Sequence, residues 1–97
     1  MRFVVSHPLP PGTTRQEVEQ MKHRMATAPG VTGYRSFLNL SEGRGFCVFD
    51  APSEERLRNW LAEQELPYDS ILTVELEGDG TGNWTELPVG VHAHSGR

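Results

Sequence analysis

The spacing of hydrophobic and polar positions divides the chain into short strands and two helices, separated by prolines and glycines. Runs rich in β-branched and aromatic residues predict strands over Arg2–Ser6, Val31–Leu40, Phe46–Asp50 and Ile71–Gly78. Apolar residues recur at helical spacing in two segments, the first with Val18, Met21 and Met25 and the second with Leu57, Trp60 and Leu61. The predicted order of elements is therefore β-α-β-β-α-β.

The starts of both helices carry capping signals. Thr13 with Gln16, or Thr14 with Glu17, fits a capping box, in which two side chains satisfy backbone donors of the first turn. Ser53 is the predicted N-cap of the second helix. The first helix is predicted to end near Ala28, just before a Pro-Gly pair.

This order of elements is typical of an α+β, ferredoxin-like fold, a four-stranded antiparallel sheet with two helices on one face. Residues 1–78 are predicted to form that domain. Residues 79–97 are rich in glycine and lack periodicity, and we interpret them as a C-terminal extension.

Both faces of the predicted sheet are apolar, although helices can cover only one of them. A sheet with one solvated face should alternate apolar and polar residues, and these strands do so poorly. The uncovered face is predicted to carry Val4, Phe37, Cys47 and Phe49. Because a contiguous exposed apolar patch is unusual in a monomer, we expect a homodimer packed through this face, or a ligand cleft.

Composition narrows the classes of function. The 97 residues carry a formal charge of −4, which argues against nucleic acid as a partner. No apolar run is long enough to span a membrane, and the N-terminus lacks a signal-peptide core, so we expect a soluble cytoplasmic protein. The single cysteine cannot form an internal disulfide.

Three features of the sequence are candidates for chemistry. Cys47 is either a thiolate ligand or nucleophile, or a small apolar residue that fills a core. His7, at the end of the first strand, could bind a ligand or move a proton, or simply cap a turn. His92 and His94 could chelate a metal, but two ligands do not close a structural site, and we interpret this segment as a solvated terminus.

A cleft on the uncovered face would have several polar residues. They are Ser6, Tyr34, Arg35, Ser36, Asp50, Tyr68 and Glu75. Arg35 could hold an anionic or carbonyl oxygen while His7 or Tyr34 moves a proton, which would describe a cofactor-independent isomerase, cyclase or monooxygenase. An interaction module without a site of its own is a further alternative, so the sequence leaves open whether the protein is an enzyme.

Four segments, "FVVSHPLP", "GVTGYRSFLNL", "FCVFDAPSEE" and "LPYDSILTVE", resemble a family of small bacterial ferredoxin-like proteins that includes nickel-binding members. The resemblance covers roughly residues 2–77, and its most specific parts are Phe46–Ser53 and Leu66–Ile71. It implies a dimer with a site for a small molecule, or for nickel or another divalent transition metal.

The resemblance suggests His7 and Cys47 as metal ligands, joined by Glu75 or a histidine of the C-terminal segment. Similar proteins tend to have Glu-Arg where this chain has Ser6 and His7, and often a histidine in place of Arg35. These departures remove two candidate ligands and add one.

Overall fold

The computed structural model describes residues 1–24 and 30–89. The elements, in chain order, are β1 (Arg2–Pro8), α1 (Arg15–Arg24), β2 (Thr32–Asn39), β3 (Arg44–Asp50), α2 (Glu54–Glu63), β4 (Ser70–Thr73), β5 (Leu76–Gly78) and β6 (Trp84–Glu86). Strands β1 to β4 form one antiparallel sheet in the order β2-β3-β1-β4. The predicted α+β, ferredoxin-like class is confirmed. The predicted helix end near Ala28 and the pair His92 and His94 lie outside the described residues.

Both helices begin where their capping signals predict. The Glu17 amide donates to the Thr14 hydroxyl at 3.2 Å, and the Thr14 amide donates to the Glu17 carboxylate at 2.8 Å. This reciprocal pair is a capping box. At the second helix, the Ser53 hydroxyl accepts a hydrogen bond from the amide of Arg56 at 3.1 Å. Both starts are therefore set by contacts within one turn of the chain.

The prediction of one final strand over Ile71–Gly78 is wrong, because the structure divides this segment between two sheets. Strand β4 pairs with β1, whereas β5 pairs with β6 in a separate two-stranded sheet. The break lies at Val74 and Glu75, where the Val74 amide donates to the carbonyl of Arg2 and the Glu75 carbonyl accepts from Leu87. The segment divides because its second part pairs with β6. The glycine-rich composition of residues 79–97 gave no indication of that strand.

The hydrophobic core lies between the central strands and α2. Its buried members are Phe3, Val5, Val31, Ala51, Leu57, Trp60 and Leu61. Phe49 packs edge-on against the indole of Trp60, with ring centroids 5.3 Å apart. One face of the sheet, which we call the helix face, is thus covered by α2.

Pairing between strands assigns the other residues to the two faces. Phe3 lies opposite Phe49 and Val5 opposite Cys47, and directly opposed residues of an antiparallel pair share a face. Cys47 and Phe49 therefore belong to the helix face, and their predicted place on the uncovered face is wrong. A one-residue difference in register exchanges the faces of a whole strand, and the pairing decides that register.

The opposite face, which we call the open face, carries several exposed apolar side chains. Val4 lies opposite Leu72, and Phe37 opposite Phe46, so that Val4 and Phe37 are on the face predicted for them. Phe37 is 58% exposed, Phe46 47% and Leu72 64%. Phe37 lies on the edge strand β2, beside Phe46 on β3, and Leu72 lies on β4 at the opposite edge. Exposed apolar side chains are therefore found at both edges of this face.

Gly45 makes room for its neighbours on the helix face. An added Cβ at Gly45 would collide with Cδ2 of Leu38 and lie 3.7 Å from Nε2 of His7. We expect Gly45→Ala to lower the free energy of unfolding by about 1–2 kcal/mol, because Leu38 must leave its rotamer. Gly33→Ala is the matched control on the next strand, where nothing lies within 4 Å of the added carbon. Urea unfolding should show the control to be neutral or slightly stabilising; equal losses in both variants would contradict this account.

Candidate functional site

Three adjacent strands bring Ser36, Cys47 and His7 together on the helix face. Ser36 of β2 lies opposite Cys47 of β3, which lies opposite Val5 of β1. His7 is two residues further along β1 and therefore points to the same side of the sheet. Its own partner is Gly45, whose missing side chain leaves space for the imidazole.

The three side chains form a short hydrogen-bonded row. The Ser36 hydroxyl donates to Sγ of Cys47 at 3.4 Å, and Sγ lies 3.0 Å from Nε2 of His7. The imidazole tautomer decides which partner donates across the contact between Sγ and Nε2, since either ring nitrogen can carry the proton.

Burial keeps both members of the His7–Cys47 pair neutral. Desolvation is the main cause that lowers the pKa of His7, and the backbone of Pro8 and the charge of Asp69 oppose it. Desolvation also raises the pKa of the Cys47 thiol, against smaller effects of Ser36 and Lys22. Both shifts disfavour the charged forms, as expected for groups partly removed from water. The pair is thus a thiol hydrogen-bonded to an imidazole rather than a thiolate–imidazolium ion pair.

Glu75, the third predicted metal ligand, lies far from this pair within one chain. It follows β4 at the end of the sheet where Val74 bonds to Arg2. His7 is five residues along β1 from Arg2, a distance of roughly 17 Å at the rise of a β-strand. Across residues 1–24 and 30–89, no group of three or more histidine, cysteine, aspartate or glutamate side chains could hold a metal ion.

The other predicted cleft residues are divided between separate surroundings. Ser6 is buried on the open face, where it pairs with Phe46 and Ser70. Tyr68 packs at the margin of the core and accepts a hydrogen bond from Arg58 at 2.8 Å. Arg35 lies opposite Val48, in the register of the open face. Both Arg35 and His7 nevertheless line one cavity of the chain, so the strand register does not separate them.

Sequence reasoning missed a charged cluster built around Arg2. Its guanidinium donates to both oxygens of Asp50, at 2.7 and 3.0 Å, and to Glu77 at 2.9 Å. It also lies 3.7 Å from the ring centroid of Tyr34, whose hydroxyl donates to Glu77. Hydrogen bonds from Arg2 are the main cause that lowers the pKa values of Asp50 and Glu77. The cluster joins the β5–β6 hairpin to the main sheet, and no local pattern in the sequence indicates it.

The fold and the site together define a class of protein: a small ferredoxin-like domain with a thiol and an imidazole in contact beside its core. A model of the family described as nickel responsive protein SCO4226-like matches residues 3–74. The chain belongs to this family. A search of curated proteins gave no match.

A solved structure also supports the fold. The crystal structure of SCO4226 from Streptomyces coelicolor A3(2) is similar to this chain with a TM-score of 0.72. The sequences are 18% identical, and the similarity covers 80% of this chain and 100% of that one. Among the helices of the described ranges, none is long and apolar enough to cross a membrane.

Proposed function

We propose that this protein is a cytoplasmic nickel-binding protein in which His7 and Cys47 supply two of the metal ligands. Support comes from the family, whose name refers to nickel responsiveness, and from the contact between a thiol and an imidazole. Imidazole nitrogen and sulfur are donors that suit late transition metals. A reducing cytoplasm would keep the only thiol of the chain free.

The separation of the two donors is the single observation that carries the proposal. Nitrogen and sulfur ligands typically lie about 2.0–2.3 Å from a transition metal such as zinc. Two neighbouring ligands at a right angle, as in a square-planar nickel site, are then roughly 3.1 Å apart, whereas those of a tetrahedral site are roughly 3.6 Å apart. Nε2 and Sγ are 3.0 Å apart, which matches the square-planar arrangement. The pair can therefore bind one ion with little movement, whereas any remaining ligands must come from elsewhere.

Protonation should make the affinity depend on pH. The Cys47 thiol must lose its proton to bind nickel, and its raised pKa keeps it protonated near neutrality. The lowered pKa of His7 leaves its Nε2 lone pair available in the same range. Binding should therefore release one proton and tighten about tenfold per pH unit as the pH rises below the thiol pKa.

Nickel titration of untagged, metal-free protein tests this proposal. We expect binding accompanied by near-ultraviolet absorption from sulfur-to-nickel charge transfer. Cys47→Ala should abolish the absorption and weaken binding by at least about 100-fold, since even outer-shell changes cost about 10–100-fold in metal sites. His7→Gln should weaken binding by a similar factor.

Two controls separate this site from other sources of binding. Ser36→Ala removes the hydrogen bond to Sγ while leaving both donors, and should change the affinity less than about tenfold. A His92→Ala/His94→Ala double variant reports any binding by the C-terminal histidines. The proposal is overturned if nickel does not bind, or if the double variant abolishes binding that Cys47→Ala retains.

The proposed functional unit is a homodimer joined through the open face. Phe37, Phe46 and Leu72 are about half exposed or more, and they share one side of the sheet. An exposed apolar patch that reaches both edge strands of a sheet is typical of a contact with another protein. A second copy offers the same surface, which a twofold interface would cover on both chains at once.

A further inference from the structure

A large cavity separates α1 from the helix face of the sheet. Its volume is about 1160 Å³, somewhat above the range of about 300–1,000 Å³ usual for small-molecule sites. Apolar side chains line it from both sides, among them Val18 and Met21 of α1 and Leu38, Phe49 and Trp60 opposite. Val18 and Met21 remain half-buried, so the apolar stripe of α1 is not packed against the core.

The polar residues that line the cavity form a charged set and an uncharged set. Its charged lining residues are Arg15, Glu19 and Lys22 of α1 and Arg35 of β2, and all four are exposed. The uncharged row of Ser36, Cys47 and His7 also lines the cavity. The charged side chains are thus exposed, and the rest of the lining is mostly apolar apart from this row.

Trp60 gives a separate indication that the cavity holds a ligand. The side chain is 5% exposed and lines the cavity, yet its indole nitrogen has no hydrogen-bond partner among the described residues. Buried donors in folded proteins almost always have an acceptor. An unpaired donor next to a large apolar space suggests that a molecule outside the described chain normally contributes to this region.

We propose that the cavity binds a mostly apolar small molecule that carries one hydroxyl or carbonyl oxygen. The oxygen accepts a hydrogen bond from the indole N–H of Trp60, and the apolar part lies between α1 and Phe49. Nickel binding is not required, so the two proposals can fail separately.

The test uses prodan, a neutral naphthalene ketone whose fluorescence reports the polarity around its carbonyl, with metal-free full-length protein. We expect saturable binding of one molecule per chain with blue-shifted emission. Cys47 lines the cavity and is the only thiol of the chain, so its alkylation by iodoacetamide should slow in proportion to occupancy. Mass spectrometry measures this protection without any substitution.

Two variants that add the same negative charge to α1 locate the bound dye. Val18→Glu puts a carboxylate into the lining and should weaken binding by at least about tenfold. Gln16→Glu adds the same charge to α1 at an exposed residue outside the lining, and should change the affinity less than about twofold. Circular dichroism of both variants checks that α1 is retained.

Three results would overturn the proposal. The first is the absence of saturable binding, and the second is binding that leaves the alkylation of Cys47 unchanged. The third is equal binding by Val18→Glu and Gln16→Glu together with loss in Leu72→Glu, which would move the dye to the open face. None of these results bears on nickel, which is measured by its own titration.

Discussion

Replacing Phe3 by alanine should lower the free energy of unfolding by about 3–5 kcal/mol, the usual cost of deleting a buried aromatic side chain. Phe3 is fully buried near the start of β1, between two neighbouring strands and the core side of α2. Small domains are stable by only about 5–15 kcal/mol, so this variant should be close to unfolding at room temperature. Urea unfolding followed by circular dichroism measures the loss.

Phe37→Ala is the matched control, since it makes the same change at a side chain that is 58% exposed on the open face. It should cost less than about 1 kcal/mol in dilute protein, because exposed apolar groups contribute little to folding. Any larger effect should grow with protein concentration if this face joins two copies. A concentration-independent loss as large as that of Phe3→Ala would show that the faces of the sheet are wrongly assigned.

Leu72→Glu should dissociate the proposed homodimer, with association weakened at least about 100-fold. Leu72 is 64% exposed and lies on the open face opposite Val4. A twofold interface contains every residue twice, so one substitution buries two carboxylates without partners, at a cost of several kcal/mol. Sedimentation velocity over a range of protein concentrations would measure the change.

Asn59→Glu supplies the control for added charge. Asn59 is exposed on α2, which lies on the other side of the sheet from the open face. Its substitution should therefore leave the association unchanged. The dimer proposal fails if the unaltered protein is monomeric at micromolar concentrations, or if both variants dissociate it equally. Neither result would affect the assignment of the helix face, which rests on strand pairing within one chain.

Elements whose signals are local could be predicted from the sequence. Both helix starts were read from side chains within four positions of the helix, and the contacts of Thr14, Glu17 and Ser53 confirm them. Capping and turn formation depend on neighbours along the chain, which a sequence displays directly. The same is true of the alternation of strands and helices, from which the ferredoxin-like order followed.

The candidate site was predicted only as separate residues. Cys47, His7 and Ser36 were each named, but their contact joins positions up to 40 residues apart. Cys47 was assigned to the wrong face because the register of β3 depends on β1 rather than on its own composition. The Arg2 cluster was missed for the same reason, since its partners Asp50 and Glu77 are distant in the chain.

The sequence by itself determined the order of elements, their starts, and the excess of apolar residues over what one covered sheet face can bury. Only the tertiary structure decided which residues share a face, where the last strand divides, and that a thiol and an imidazole meet beside a cavity under α1. The physical reason is that periodicity and capping act over a few residues, whereas register and side-chain contact are chosen by strands that are far apart in the chain.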